Sequence, residues 1–110
     1  LDLTALARLN FEPPDPSRFP ALRLCRDALK RGALATTALN AANEVAVAAF
    51  LDGRIGFLEI ARVVEEALEA LEREGAVSNA KSPSSFDEVG AVDGAARAEA
   101  TRIAGRRAAA

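Results

Sequence analysis

Along the last two-thirds of the chain, apolar residues return every three or four positions. The clearest stretch carries Ile60, Val63, Val64, Ala67, Leu68 and Leu71, with Glu59, Arg62, Glu65, Glu66, Glu69 and Glu72 between them. That period predicts an amphipathic helix, and Gly75 ends it. Upstream, TTALNAANEVAVAAFLDG predicts a helix of about four turns at 1.5 Å per residue. It starts at Thr36 or Thr37, either of which can cap it, and runs to Leu51 before Gly53. Apolar residues surround most of its circumference, the pattern of a helix in the middle of a bundle. An earlier helix starts at Pro20, takes Leu22, Cys25 and Leu29 with Leu24 and Ala28 as its apolar face, and stops at Gly32. After Gly75 the polar stretch AVSNAKSPSS reads as a surface loop, from which Phe86, Val89 and Val92 dip back toward the core. Asp93 then caps a last helix that turns Ala96, Ala100 and Ile103 inward.

The first nineteen residues follow no such period. Pro13, Pro14, Pro16 and Pro20 bar a continuous helix, while Leu1 and Leu3 alternate with Asp2 and Thr4, and Leu6, Leu9 and Phe11 follow. An extended arm whose apolar side chains need a surface is expected over 1–19, ahead of a helical domain over 20–110. The fold class is therefore all-α: a four-helix bundle-like domain preceded by an extended proline-rich arm.

Composition narrows the function. With 110 residues, half of them apolar, the chain suffices for one domain with one core. A net charge of -2 and the absence of Tyr and Trp leave neither the basic footprint nor the stacking platform of a nucleic-acid binder. The longest apolar run, Val45–Leu51, is too short to span a bilayer, so no membrane segment is expected. Cys25, among Leu22, Leu24 and Leu29, reads as a buried small hydrophobe. A single cysteine fits a reducing, cytoplasmic compartment. The start LDLTALARLN, with no initiating Met and no signal-peptide pattern, reads as the middle of something longer.

Candidate chemistry is sparse. Without histidine there is no imidazole base, and one cysteine makes no thiolate metal site. Neither GxGxxG nor a P-loop occurs. The Glu-rich face of the third helix is mixed with Arg62 and Arg73 and reads as solvated, as do Arg102, Arg106 and Arg107 at the end of the last helix. The remaining candidates are Asn40, Asn43 and Glu44, spaced i, i+3, i+4 on one side of the second helix. Buried, each would need partners, so they read as an internal hydrogen-bonding network, with Arg18 or Arg54 as the cation for Glu44. No catalytic, cofactor-binding or metal-binding residue is expected in this chain. A self-contained helical interaction module is the alternative.

Three segments, PDPSRFPALRL, ATTALNAANEVAVAAFLDGRIGF and FDEVGAVDGAAR, resemble the C-terminal part of the 1-deoxy-D-xylulose 5-phosphate reductoisomerase family, enzymes of non-mevalonate isoprenoid synthesis. The resemblance covers almost the whole chain. It implies a homodimer that uses NADPH and Mg²⁺ or Mn²⁺ to convert 1-deoxy-D-xylulose 5-phosphate to 2-C-methyl-D-erythritol 4-phosphate. It also implies a dinucleotide-binding domain, a catalytic and dimerising domain, and a helical domain after an extended linker. This chain resembles the end of that linker plus the helical domain, which would brace the catalytic domain as its partner, bind no cofactor itself and be inactive alone. It departs from the family pattern at Gly56 and Leu58, where a larger residue and a polar helix cap are usual, and at Gly90 and Gly94.

Overall fold

The computed structural model describes residues 1–77 and 82–108. Five helices occur among them, and no strand: α1 (Leu3–Leu6), α2 (Pro20–Arg31), α3 (Ala33–Leu51), α4 (Glu59–Arg73) and α5 (Phe86–Ala108). The domain is all-α, as expected. The middle of the predicted surface loop, residues 78–81, lies outside the described residues.

At its centre is α3, which packs against α5, α4 and α2. Its inward positions are nearly all alanine: Ala38, Ala41, Ala42, Ala46 and Ala49 are fully buried. A methyl group holds neighbouring helices at short range, so larger core side chains come from the partners, with Leu71, Ile103 and Val63 the largest that are fully buried. By length and composition α3 could cross a membrane, which the short apolar run did not suggest. In the fold three helices cover its alanine-lined side, while Leu51 at its end stays exposed.

Helix boundaries differ from the sequence reading in two places. Thr36 and Thr37 do not cap α3; both hydroxyls donate to the Ala33 carbonyl at 2.9 Å, inside a helix already under way. The break from α2 to α3 falls on Gly32 alone, whose amide donates to Ala28 while its carbonyl accepts from Thr36. Its φ of 107° is open to glycine and strained for other residues. Asp93 is likewise not a cap. Helix α5 starts seven residues earlier, at Phe86, so Val89 and Val92 belong to the helix. Its start is held by Ser85, whose Oγ accepts from the Glu88 amide at 3.2 Å, while the Glu88 carboxylate accepts from the Ser84 amide and hydroxyl. At the other end of α3, Gly53 donates to Phe50 and Arg54 to Ala49, both at 2.9 Å, a paired closure that turns the chain toward α4.

The arm is not wholly extended. Asp2 accepts from the amides of Thr4 and Ala5 and from the Thr4 hydroxyl, and winds Leu3–Leu6 into one turn. This segment precedes the prolines, so nothing prevents the turn. No residue of α1 is buried, and Leu1 and Phe11 are 104% and 88% exposed.

On α2, the inward side is Leu24 and Ala28 alone; Leu22, Cys25 and Leu29 are exposed. The expectation of a buried Cys25 is therefore corrected. The apolar residues of α2 cover two faces of the helix, and α3 and α4 occupy one.

The alanine seam makes a clear expectation. Ala42→Leu at the buried side of α3 should lower unfolding stability by about 1–3 kcal/mol through overpacking, while Ala48→Leu on the exposed side of the same helix should change it by less than about 0.5 kcal/mol. Urea unfolding followed by far-ultraviolet circular dichroism measures both, and equal effects would refute the close-packing account.

Candidate functional site

The polar trio lies on the outer side of α3, because Ala41 and Ala42 between them point inward. Asn40, Asn43 and Glu44 are all exposed, which corrects the reading of an internal network. Asn40 Nδ2 donates to Glu44 Oε1 at 3.1 Å. Glu44 Oε2 accepts from Arg97 Nη2 of α5 at 2.8 Å. Arg97 also holds Asp93 one turn earlier, with Nε to Oδ2 at 2.8 Å and Nη2 to Oδ1 at 3.3 Å. Glu44's cation is thus neither Arg18, which lies 5.7 Å from the Phe19 ring centroid, nor Arg54, which pairs with Asp52. The hydrogen bond and charge of Arg97, then the Asn40 amide, hold the Glu44 carboxyl below its ordinary range. Asp93 and then Glu44 raise the pKa of Arg97.

Asn43 turns away from this chain of contacts toward the opposite seam. There α2 and α4 diverge, leaving an apolar groove of about 510 Å³ whose lining includes Phe19, Leu22, Cys25, Phe57 and Leu58, with Arg18 and Asn43 as its polar members. The Phe57 ring is held edge-on to Phe50, 5.8 Å between centroids. None of this groove was anticipated. Its signal in the sequence was the surplus of apolar residues on α2, more than one packed face requires.

A third cluster joins the ends of α4 and α5. Arg107 donates to both Glu59 and Glu66, and Arg106 reaches Glu66 at 3.6 Å. Burial works against the Arg107 charge, but Glu66 and Glu59 outweigh it and raise its pKa. The reading of these arginines as a solvated helix end is corrected for Arg107, whose side chain is only 25% exposed. The Glu-rich face of α4 is likewise not simply solvated: Glu65 pairs with Arg23, and Glu72 with Arg31 at 3.1 Å, both on α2. Beside Arg107 is a recess of about 470 Å³ lined by Gly53, Arg54, Ile55, Gly56 and Glu59.

These arrangements are suited to holding helices together. A carboxylate paired with a guanidinium stays ionised, is occupied by donors and makes a poor general acid. Among the described residues no three His, Cys, Asp or Glu side chains converge as a metal site would need. The carboxylates that do come close are bridged by arginine, which does not fit a divalent cation.

Comparison with known proteins is consistent in one direction. A family model described as the DXP reductoisomerase C-terminal domain matches residues 1–99. The 1-deoxy-D-xylulose 5-phosphate reductoisomerase of Afipia carboxidovorans is 58% identical over 103 residues, which cover 94% of this chain and 25% of that protein. The counterpart in Caulobacter vibrioides is 48% identical over 107 residues, covering 97% of this chain and 27% of its own length. Among solved structures, the Zymomonas mobilis enzyme in complex with NADPH superposes with a TM-score of 0.77 at 44% identity, covering 94% of this chain and 26% of that one. The chain spans about a quarter of the length of the relatives it matches.

The Glu44–Arg97 contact is open to titration. A carboxyl with a depressed folded pKa adds stability above its unfolded pKa, and that contribution is lost as pH falls through the folded pKa. Arg97→Ala should raise the Glu44 pKa toward the ordinary carboxylate range, with the Asn40 amide still lowering it, measured by carbon-13 NMR of its side-chain carboxyl. The stability gap between the two proteins should be open at neutral pH and close on acidification. An unchanged Glu44 titration would show that the contact does not form in solution.

Proposed function

Because the chain belongs to the family of DXP reductoisomerase C-terminal domains, we propose that it braces the catalytic part of an NADPH-dependent 1-deoxy-D-xylulose 5-phosphate reductoisomerase and is inactive alone. The observation that carries this reading is the arm. Helices α2 to α5 close their core without it, while Leu1, Leu3, Leu6, Leu9 and Phe11 remain 43% to 104% exposed. A self-contained interaction module would cover such residues; a domain that belongs against a larger body would leave them for that body.

On this reading the cofactor NADPH and the metal, Mg²⁺ or Mn²⁺, are held by the rest of the enzyme. The grouped carboxylates here do not suit the metal, since they are bridged by Arg97 and Arg107. The contribution of this chain is mechanical: a stiff helical body joined through a proline-rich segment, which limits how far the catalytic part can shift. Asn40 and Glu44 act within it as structural groups that tie α3 to α5 through Arg97. Asn43 belongs to the groove. The enzyme is proposed to work as a cytoplasmic homodimer, contacting neither nucleic acid nor membrane.

The test is NADPH oxidation with 1-deoxy-D-xylulose 5-phosphate and Mg²⁺ by the full-length enzyme, by an enzyme ending before Leu1, by the 110-residue chain, and by the last two mixed. No turnover by the chain, impaired turnover by the shortened enzyme and partial recovery on mixing are expected. Turnover by the chain alone, or full activity without it, would refute the reading.

A further inference from the structure

The seams between the helices are not closed alike. Arg97 joins α5 to α3, and Arg107 joins α5 to α4. Between α2 and α4, the bridges Arg23–Glu65 and Arg31–Glu72 close one edge of the contact, from the first turn of α2 to its last. The opposite edge, lined by Leu22 and Cys25 of α2 and Ile60 and Ala61 of α4, has no such bridge among the described residues and opens into the apolar groove. Phe57, Leu58 and Phe19 stand there 70%, 68% and 53% exposed. Exposed aromatic and aliphatic side chains gathered around a concavity mark a surface that is covered in the working protein.

We propose that this groove is the seat of the enzyme body that precedes the domain in the same polypeptide, which inserts an apolar projection between α2 and α4. The inference rests on the bracing role above and names its contact surface. Three observations select this occupant. The arm leaves the bundle at the groove itself, since Arg18, Phe19 and Pro20 form part of its lining. In relatives four times this length, the body that lies ahead of a C-terminal domain is tethered at that rim, where even a weak contact is made at high effective concentration. The exposed leucines and Phe11 lie on the arm that runs from this rim, so a body seated in the groove is within the tether's reach of them. Finally, the side chains of the two polar members of the lining, Arg18 and Asn43, have no charged or hydrogen-bonding partner among the described residues, Arg18 resting only over the Phe19 ring. The projection should therefore present a carboxylate to Arg18 and a carbonyl to Asn43 beside its apolar tip.

Cys25, an exposed thiol in the groove lining, is a built-in reporter. In the native full-length enzyme, iodoacetamide should alkylate it at least about tenfold more slowly than a reference cysteine introduced by Thr101→Cys on the outer side of α5, both followed by peptide mass spectrometry. A smaller difference overturns the proposal. Placing p-benzoylphenylalanine at position 57 of the full-length enzyme identifies the occupant: irradiation should link it, within one polypeptide, to a peptide ahead of Leu1. A product of twice the chain mass assigns the groove to a second copy, and linkage only within residues 1–110 assigns it to the arm or bundle; either overturns the proposal. If Cys25 is freely alkylated while the shortened enzyme is still impaired, the groove assignment fails and the bracing role stands.

Discussion

Close approach to α3 is the constraint on which the rest of the structure depends. A helix whose buried positions are alanines contributes little side-chain volume, so stability depends on how near its neighbours come. Those neighbours are positioned by backbone devices rather than by bulky wedges. Gly32 switches α2 into α3 within a single residue, and Gly53 closes α3 and turns the chain back toward α4. Helix α5 then lies along the remaining side, bringing Ala96, Ala100 and Ile103 against the seam. No polar or charged side chain is buried among the described residues, so helix order is specified at the periphery.

That periphery explains the arginines. Exposed ion pairs are individually weak, yet several here span two helices: those of Arg23 and Arg31 from α2 to α4, of Arg97 with Glu44 from α5 to α3, and of Arg107 from α5 to α4. A smooth alanine interface offers little resistance to sliding by a turn. Charged side chains at fixed heights supply the register that small methyl groups do not, which gives exposed pairs a structural role larger than their separate stabilities suggest.

The sequence made the helices legible and left their faces ambiguous. The inward set of α4 could be read directly, because Glu and Arg fill the rest of its circumference and only one apolar stripe remains. On α2 the apolar residues cover more than one face, and periodicity alone cannot say which of them the bundle uses; Cys25 and Leu29 fell on the wrong side for that reason. The same limit applies to Asn40, Asn43 and Glu44. Their spacing fixes that they share a side of α3, while burial depends on where α5 and α2 lie. The pairing of Glu44 with Arg97 was hidden by one boundary: with Asp93 taken as a cap, the i, i+4 pair Asp93–Arg97 fell across the start of a helix instead of inside it. The sequence S-F-D-E at Ser85 to Glu88 was the legible signal for the earlier start.

Taken together, the closed and open seams give the domain a direction. Where α5 covers α3 and α4, ion pairs from Arg97 and Arg107 cross the join. Where α2 leaves α4, near Pro20, apolar side chains stand open, and the chain departs toward the arm from that same edge. A folded unit with no outside partner gains nothing from keeping its apolar opening beside its tether, because burying those residues inside would stabilise it directly. In a domain whose neighbour is attached through that tether, the opening is in the one place where the neighbour is always within reach, and the rigid alanine-packed core behind it gives the contact a firm base.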